Sequence, residues 1–221
     1  MSIKISIADE RHATYAARIC ELINESAKQR GTGIASRTPE YIAQKIRDGK
    51  AVIAVDAAAN EVVGFSYIET WGHGKFVANS GLIVNPDYRH MGLAYKIKKK
   101  IFNLSRKKFP QARIFGITTG LAVMKINSSL GYVPVTFSEL TDDEEFWKGC
   151  KGCRNYDILQ RNSHRMCLCI GMLYDPKKHQ SLWQRFVDFI RRNNLRAQRL
   201  RFRWWMRNRR LKQRKLRIES E

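Results

Sequence analysis

The stretch SGLIVNPDYRHMGLAYKIKKKIFNLSRKKF, residues 80–109, decides how the rest of the chain is read. Its opening residues Gly81, Leu82, Ile83 and Val84 form an apolar run that Asn85, Pro86 and Asp87 break, the pattern of a strand ending in a turn. Beyond the turn, Leu93, Ala94, Ile97, Ile101, Phe102 and Leu104 recur near the helical period. A helix is expected there, opened by Arg89, His90, Met91, Gly92, Leu93 and Ala94. Gly92 and Ala94 are small enough for ligand atoms to approach the backbone. A helix N-terminus leaves amide N–H groups unpaired, and its dipole favours negative charge. Arg89 adds a formal positive charge at the same point. Together these features make an anion cradle of the kind a pyrophosphate needs.

Working outward, residues 4–7 alternate as a short strand, and Asp9 caps a helix expected to run to about Lys28. Gly31 to Arg37 reads as a loop. Thr38 as N-cap, Pro39 in the first turn and Gly49 past the end frame a second helix. Strands follow at residues 51–55, 61–70 and about 76–84, an antiparallel meander leading into the cradle. After the cradle helix come a strand at 113–118 and a helix at 121–130 closed by Gly131.

The 221 residues suffice for one domain with an appendage. No run approaches the apolar length of a membrane span, and MSIKISIADERH carries no signal-peptide apolar block, so a cytoplasmic protein with reduced cysteines is expected. The net charge of +21 is unevenly placed: residues 177–221 hold 16 Lys and Arg against three acidic residues, +13, leaving +8 for the first 176. The expected organisation is therefore a domain at 1–175, with a cysteine-rich excursion at 147–170, and a basic helical tail at 176–221.

The Arg-x-x-Gly-x-Ala pattern after an apolar strand resembles the acetyl-CoA-binding loop of the GNAT N-acyltransferases. The order of elements and the LGYVPV stretch at 130–135 resemble that family over about 135 residues. The resemblance implies an α+β GNAT fold: a mixed, mostly antiparallel central sheet flanked by helices, here with the basic C-terminal helical tail added. It implies that Arg89, His90, Met91, Gly92, Leu93 and Ala94 hold the pyrophosphate of acetyl-CoA or another acyl-CoA. It also implies that a backbone amide among Leu82, Ile83 and Val84 stabilises the oxyanion. Many members place a tyrosine acid four residues before the glycine of the LGY-type motif; this chain has Asn127, followed by Ser128, either able to hydrogen-bond the pantetheine arm or the sulfur. Glu69 and His73 are candidates for the base that the amine requires.

RGTGIASRTPEYIAQKIRDGKAVIAVDAAANEVVGFSYIE, residues 30–69, resembles the acetyltransferase part of N-acetylglutamate synthases, in which an arginine matching Arg37 faces the amino-acid substrate. A guanidinium suits a planar carboxylate. Residues 141–176 resemble small GNAT proteins associated with arginine biosynthesis. The expected function is acyl-CoA-dependent transfer of an acetyl or succinyl group to the amine of a small acceptor, with an amino acid such as glutamate leading. The alternative is a catalytically weak GNAT-fold module that delivers the tail to RNA, a membrane surface or an acidic partner.

Cys150, Cys153, Cys167 and Cys169 form two close pairs, a ligand set for structural zinc. Plain core or surface thiols, and a redox pair at Cys150 and Cys153, are the alternatives. In the tail, Leu182, Trp183, Phe186, Val187 and Ile190 fall at helical spacing, and Phe202, Trp204 and Trp205 interleave with arginines. Such a helix suits an anionic membrane surface, nucleic-acid phosphates or an acidic partner, or packs on its own domain or on a second subunit of a homodimer.

Overall fold

A computed structural model describes residues 2–31 and 37–178. Its elements are β1 Ile3–Ile7, a 3-10 turn Glu10–Tyr15, α1 Ala16–Arg30, α2 Pro39–Arg47, β2 Ala51–Asp56, β3 Glu61–Trp71, β4 Phe76–Val84, α3 Leu93–Lys108, β5 Arg113–Thr118, α4 Leu121–Ser129, β6 Val133–Val135, α5 Glu144–Lys148, α6 Tyr156–Arg161 and β7 Ile170–Tyr174. The caps are the expected ones. Asp9 accepts from Arg11 N while His12 reaches back to the Asp9 amide, and the Thr38 hydroxyl accepts from Tyr41 N ahead of α2. Asp9 caps the 3-10 turn, which then passes into α1, so the first helix is broken where one continuous helix was expected.

The strands make one seven-stranded sheet in the order β1-β2-β3-β4-β5-β7-β6. All neighbours are antiparallel except β4 and β5. The α+β class holds, with one addition. The strand entered from LGYVPV, β6, is three residues long and pairs with β7; it is β7 that borders β5. Five residues containing a glycine, placed after an irregular excursion, leave too little period-two pattern to reveal β7 in the sequence.

Alternation along the strands sends side chains to two layers. Val52, Ala54 and Val63 pack with Ile97, Ile101 and Phe102 of α3 on one face. Ile53, Phe65 and Ile83 pack with Ile19, Ile23, Ile42 and Ile46 of α1 and α2 on the other. Each such fully buried side chain contributes about 1.5–3 kcal/mol. A third cluster of Phe76, Phe115, Phe137, Trp147, Leu159 and Leu173 anchors the excursion that carries α5 and α6.

β4 and β5 pair only from Phe76 and Arg113 to Ala78 and Phe115. Both strands continue, to Val84 and Thr118, without pairing to each other, and the sheet opens into a wedge. On the far side of β4 the register against β3 slips between Phe65 and Tyr67. Gly81 lies in the bulge at φ +63°, and a Cβ there would meet the Tyr67 ring at 2.4 Å. The chain divides into two units, Met1–Pro176 and Lys177–Glu221. The expected basic tail lies outside the described residues apart from its first residues. Among the described residues no helix is long and apolar enough to cross a membrane.

Candidate active site

The cradle is built from the end of β4. Asn85 caps a 3-10 turn at Pro86–Tyr88 by accepting from Asp87 N, and Tyr88 anchors it by donating to Asp56 at 3.3 Å. The chain then passes through two left-handed residues, His90 at φ +64° and Gly92 at φ +71°. Gly92 is the N-cap of α3, so the helix opens at Leu93, and Arg89 to Gly92 form the turn in front of it, where the sequence suggested a helix from Arg89. The first-turn amides of Leu93, Ala94 and Tyr95 have no partner inside the helix. Nothing lies within 4 Å of a Cβ built on Gly92, so backbone conformation, not crowding, demands glycine there. Arg89 is exposed beside the turn and donates to Gln29 at 3.1 Å. A sixteen-residue helix with a solvent-facing N-terminus and an adjoining guanidinium is a competent anion site.

A cavity of about 660 Å³ occupies the wedge and reaches both faces of the sheet. On the α3 and α4 side it is bounded by Leu82, Lys98 and Asn127; on the other by Arg37, Tyr41, Tyr67, Glu69 and Trp71, with Ile117 packed toward the aromatic cluster. Asn127 Oδ1 and Trp71 Nε1 are buried without a hydrogen-bond partner among the described residues. Buried polar atoms without partners are rare, and one acceptor and one donor in the lining of a single cavity point to a ligand that supplies both.

The acceptor side is a connected network. Arg37 donates to Glu69 Oε1 at 3.0 Å and to the Tyr67 hydroxyl at 2.9 Å, and Tyr41 donates to the same Glu69 oxygen at 2.5 Å. Glu69 is 4% exposed and Arg37 19%. Burial, then the Glu69 charge, pushes the Tyr41 and Tyr67 phenols well above their ordinary range, so both remain donors. Arg37, expected to face a substrate, thus lines the cavity with Glu69, and Glu69 is set by two donors.

Other expected residues are placed as follows. Leu82 lines the cavity, Val84 packs toward α3, and Ile83 turns to the α1 and α2 layer. Asn127 is buried in the cavity wall; Ser128, next on α4, is exposed and does not line it. His73 is exposed in the β3–β4 turn, away from the lining. Lys98 escaped the sequence reading. It is 2% exposed and faces the cavity from α3. Its signal was present: it falls four residues after Ala94 and one after Ile97, inside the apolar stripe, where a lysine is out of pattern.

The zinc expectation finds no support in the geometry. Among the described residues no three His, Cys, Asp or Glu side chains converge as a metal-holding group. Cys150, Cys153, Cys167 and Cys169 line the cavity wall, and Cys150, Cys167 and Cys169 pack against the aromatic cluster under the excursion. Burial, aided by the neighbouring thiols, pushes Cys150 up to about 11 and Cys169 up to about 12, so these sulfurs sit as protonated, half-buried thiols.

No family model matches the sequence, and no curated protein does. Solved structures do. N-acetylglutamate synthase from Neisseria gonorrhoeae, complexed with coenzyme A and N-acetyl-glutamate, superposes with a TM-score of 0.56 at 16% identity over 79% of this chain and 35% of its own. The chain thus spans about a third of that synthase's length. YncA of Salmonella typhimurium, with its cofactor acetyl-CoA, gives 0.56 at 15% identity over 82% of this chain and 98% of its own. A GNAT superfamily phosphinothricin acetyltransferase from Sinorhizobium meliloti, in complex with acetyl-CoA, gives 0.53 at 13% identity over 79% and 89%. At these identities the likeness is one of fold.

Proposed function

The chain has the fold of the GNAT acetyltransferases, and we propose that it is an acyl-CoA-dependent N-acyltransferase acting on the amine of a small acceptor, an amino acid first among them. The observation that carries this reading is the cavity through the split sheet, lined on one face by a carboxylate–guanidinium network and bordered by β4, the strand that leads to the anion cradle at the start of α3. The pyrophosphate of the acyl-CoA rests on the amides at the start of α3 beside Arg89. The pantetheine arm follows β4 into the wedge, where strand amides without a β5 partner offer the hydrogen bonds of a missing strand. The thioester then lies near the Gly81 bulge, which turns β4 amides toward the developing oxyanion.

From the opposite face, Arg37 takes the acceptor's carboxylate and Glu69 draws the proton from its ammonium, leaving a neutral nucleophile. The nitrogen attacks the thioester carbonyl, the C–N bond forms, the C–S bond breaks and coenzyme A leaves as thiol. Glutamate is the leading acceptor, and a role in arginine biosynthesis follows if glutamate is the substrate; the N-acetyl-glutamate complex of the Neisseria synthase supports that choice. The test is incubation of the purified full chain with acetyl-CoA or succinyl-CoA and a panel of amino acids, following free thiol and N-acyl product together. Product with one or a few amino acids supports the reading. Coenzyme A binding without product from any amino acid removes the amino-acid acceptor and returns the molecule to the binding-module reading.

A further inference from the structure

We infer that Lys98 is the proton donor to the departing coenzyme A sulfur, taking the place that Asn127 cannot fill. The inference rests on the acyl-CoA reading above and assigns a residue to that same site. An amide side chain has no proton to give as an acid, so a reaction run at Asn127 needs another donor. Lys98 lies one and a half turns into α3 from Gly92. Its ammonium sits 5.4 Å above the centre of the Tyr132 ring. The Tyr132 hydroxyl donates to Asn79 Oδ1 at 3.0 Å, and Asn79 is the first β4 residue beyond the last β4–β5 pair. Asn79 is held in turn by donating to Ser105 Oγ at 2.7 Å. The chain of contacts from Lys98 through Tyr132 to Asn79 places the lysine at the base of the wedge, where Lys98, Asn79 and Asn127 line one cavity.

Lys98 is buried, yet makes no hydrogen bond or ion pair among the described residues. The Tyr132 ring faces its ammonium, Asn79 and Asn127 line the same cavity, and the Glu69 and Glu145 carboxylates that also line it form no ion pair with Lys98. A buried ammonium without an anion is costly and is kept where an anion arrives during the work of the site. A leaving thiolate is such an anion. Burial also pushes Lys98 down to about 7, so near neutral pH both its acid and its base forms are populated. In the step, the acceptor nitrogen bonds to the acyl carbon while the C–S bond breaks. The sulfur keeps the electron pair and takes a proton from the Lys98 ammonium, the new amide nitrogen sheds its extra proton to water, and the Lys98 amine is reprotonated from solvent after the product leaves.

The experiment compares the wild-type full chain with Lys98→Met and Lys98→Arg, using coenzyme A and acetyl-CoA as probes. Calorimetry measures coenzyme A binding, and thiol release followed from about pH 6 to about pH 9 measures transfer and its pH dependence. Transfer that needs the Lys98 ammonium falls as pH rises through the lysine's value, a limb that a variant without this acid lacks. Lys98→Met is expected to bind coenzyme A, to lose that limb and to transfer about 10²–10⁴-fold more slowly. Lys98→Arg keeps the charge and coenzyme A binding, yet remains slow and without the limb, because a guanidinium does not give up its proton. The inference is overturned if wild type and Lys98→Met share one pH profile, or if Lys98→Met keeps turnover within about threefold of wild type. Absence of coenzyme A binding by wild type overturns the acyl-CoA reading itself, a result distinct from either.

Discussion

Glu69 and Arg37 are each placed by the other, and that mutual dependence sets what their removal does. Truncating Glu69 leaves the guanidinium in a site where it is 19% exposed. Glu69→Ala is expected to destabilise the fold by about 3 kcal/mol, seen as a lower denaturant midpoint, besides abolishing transfer. Arg37→Ala is expected to raise the KM for the acceptor by about 10–100-fold while leaving coenzyme A binding unchanged, the loss of a charged hydrogen-bonding grip. Lys98 behaves in the opposite sense. Its folded value of about 7 lies below the ordinary 10.5, so across that interval the unfolded chain binds a proton that the folded chain has released. Stability therefore rises with pH between those values, and the penalty, on the order of a few kcal/mol, is fully present below them. Lys98→Met removes it, so that variant is expected to be more stable than wild type near neutral pH and flat in its pH dependence, measured by urea unfolding at several pH values. Arg37 was legible in the sequence because a guanidinium before a capped helix has a recognisable use. Lys98 was harder to see: its place in the apolar stripe is out of pattern for a lysine, yet α3 is rich in exposed lysines such as Lys96 and Lys99, and one more drew no notice.

At the scale of elements, the strand-turn-helix passage from β4 to α3 was readable in nearly every part, since glycine, proline and the helical period mark it directly. What the sequence misplaced was the helix start, moved to Leu93 by the left-handed residues His90 and Gly92. Gly92→Val is expected to abolish coenzyme A binding by calorimetry, because a β-branched residue resists the left-handed conformation that aims the first-turn amides. The bulge in β4 was less legible, since a lone glycine in an apolar strand has several explanations. Gly81→Ala would bring a Cβ to 2.4 Å of the Tyr67 ring, and a cost of about 2–4 kcal/mol is expected in urea unfolding. The unread β7 and the unsupported zinc expectation share a common reason. Both depend on how an irregular excursion folds back, and long-range pairing leaves little local pattern behind.

For the molecule as a whole, the sheet splits at the point where β4 and β5 part, and the split joins the two layers through one cavity. Every described residue lining that cavity lies between Arg37 and Cys169, within the first unit. Removal of the residues after Pro176 is therefore expected to leave coenzyme A binding and turnover in place, measured side by side with the full chain. The central claim is that an acyl group passes from coenzyme A to an amine inside this cavity. Simultaneous measurement of thiol release and N-acyl product tests it most directly, with acetyl-CoA and each amino acid in turn, on wild type and Gly92→Val. The account predicts thiol and amide in equal amounts, only when an acceptor amine is present, and neither from Gly92→Val. Thiol released equally without any acceptor, or no amide from any amine despite bound coenzyme A, would contradict it.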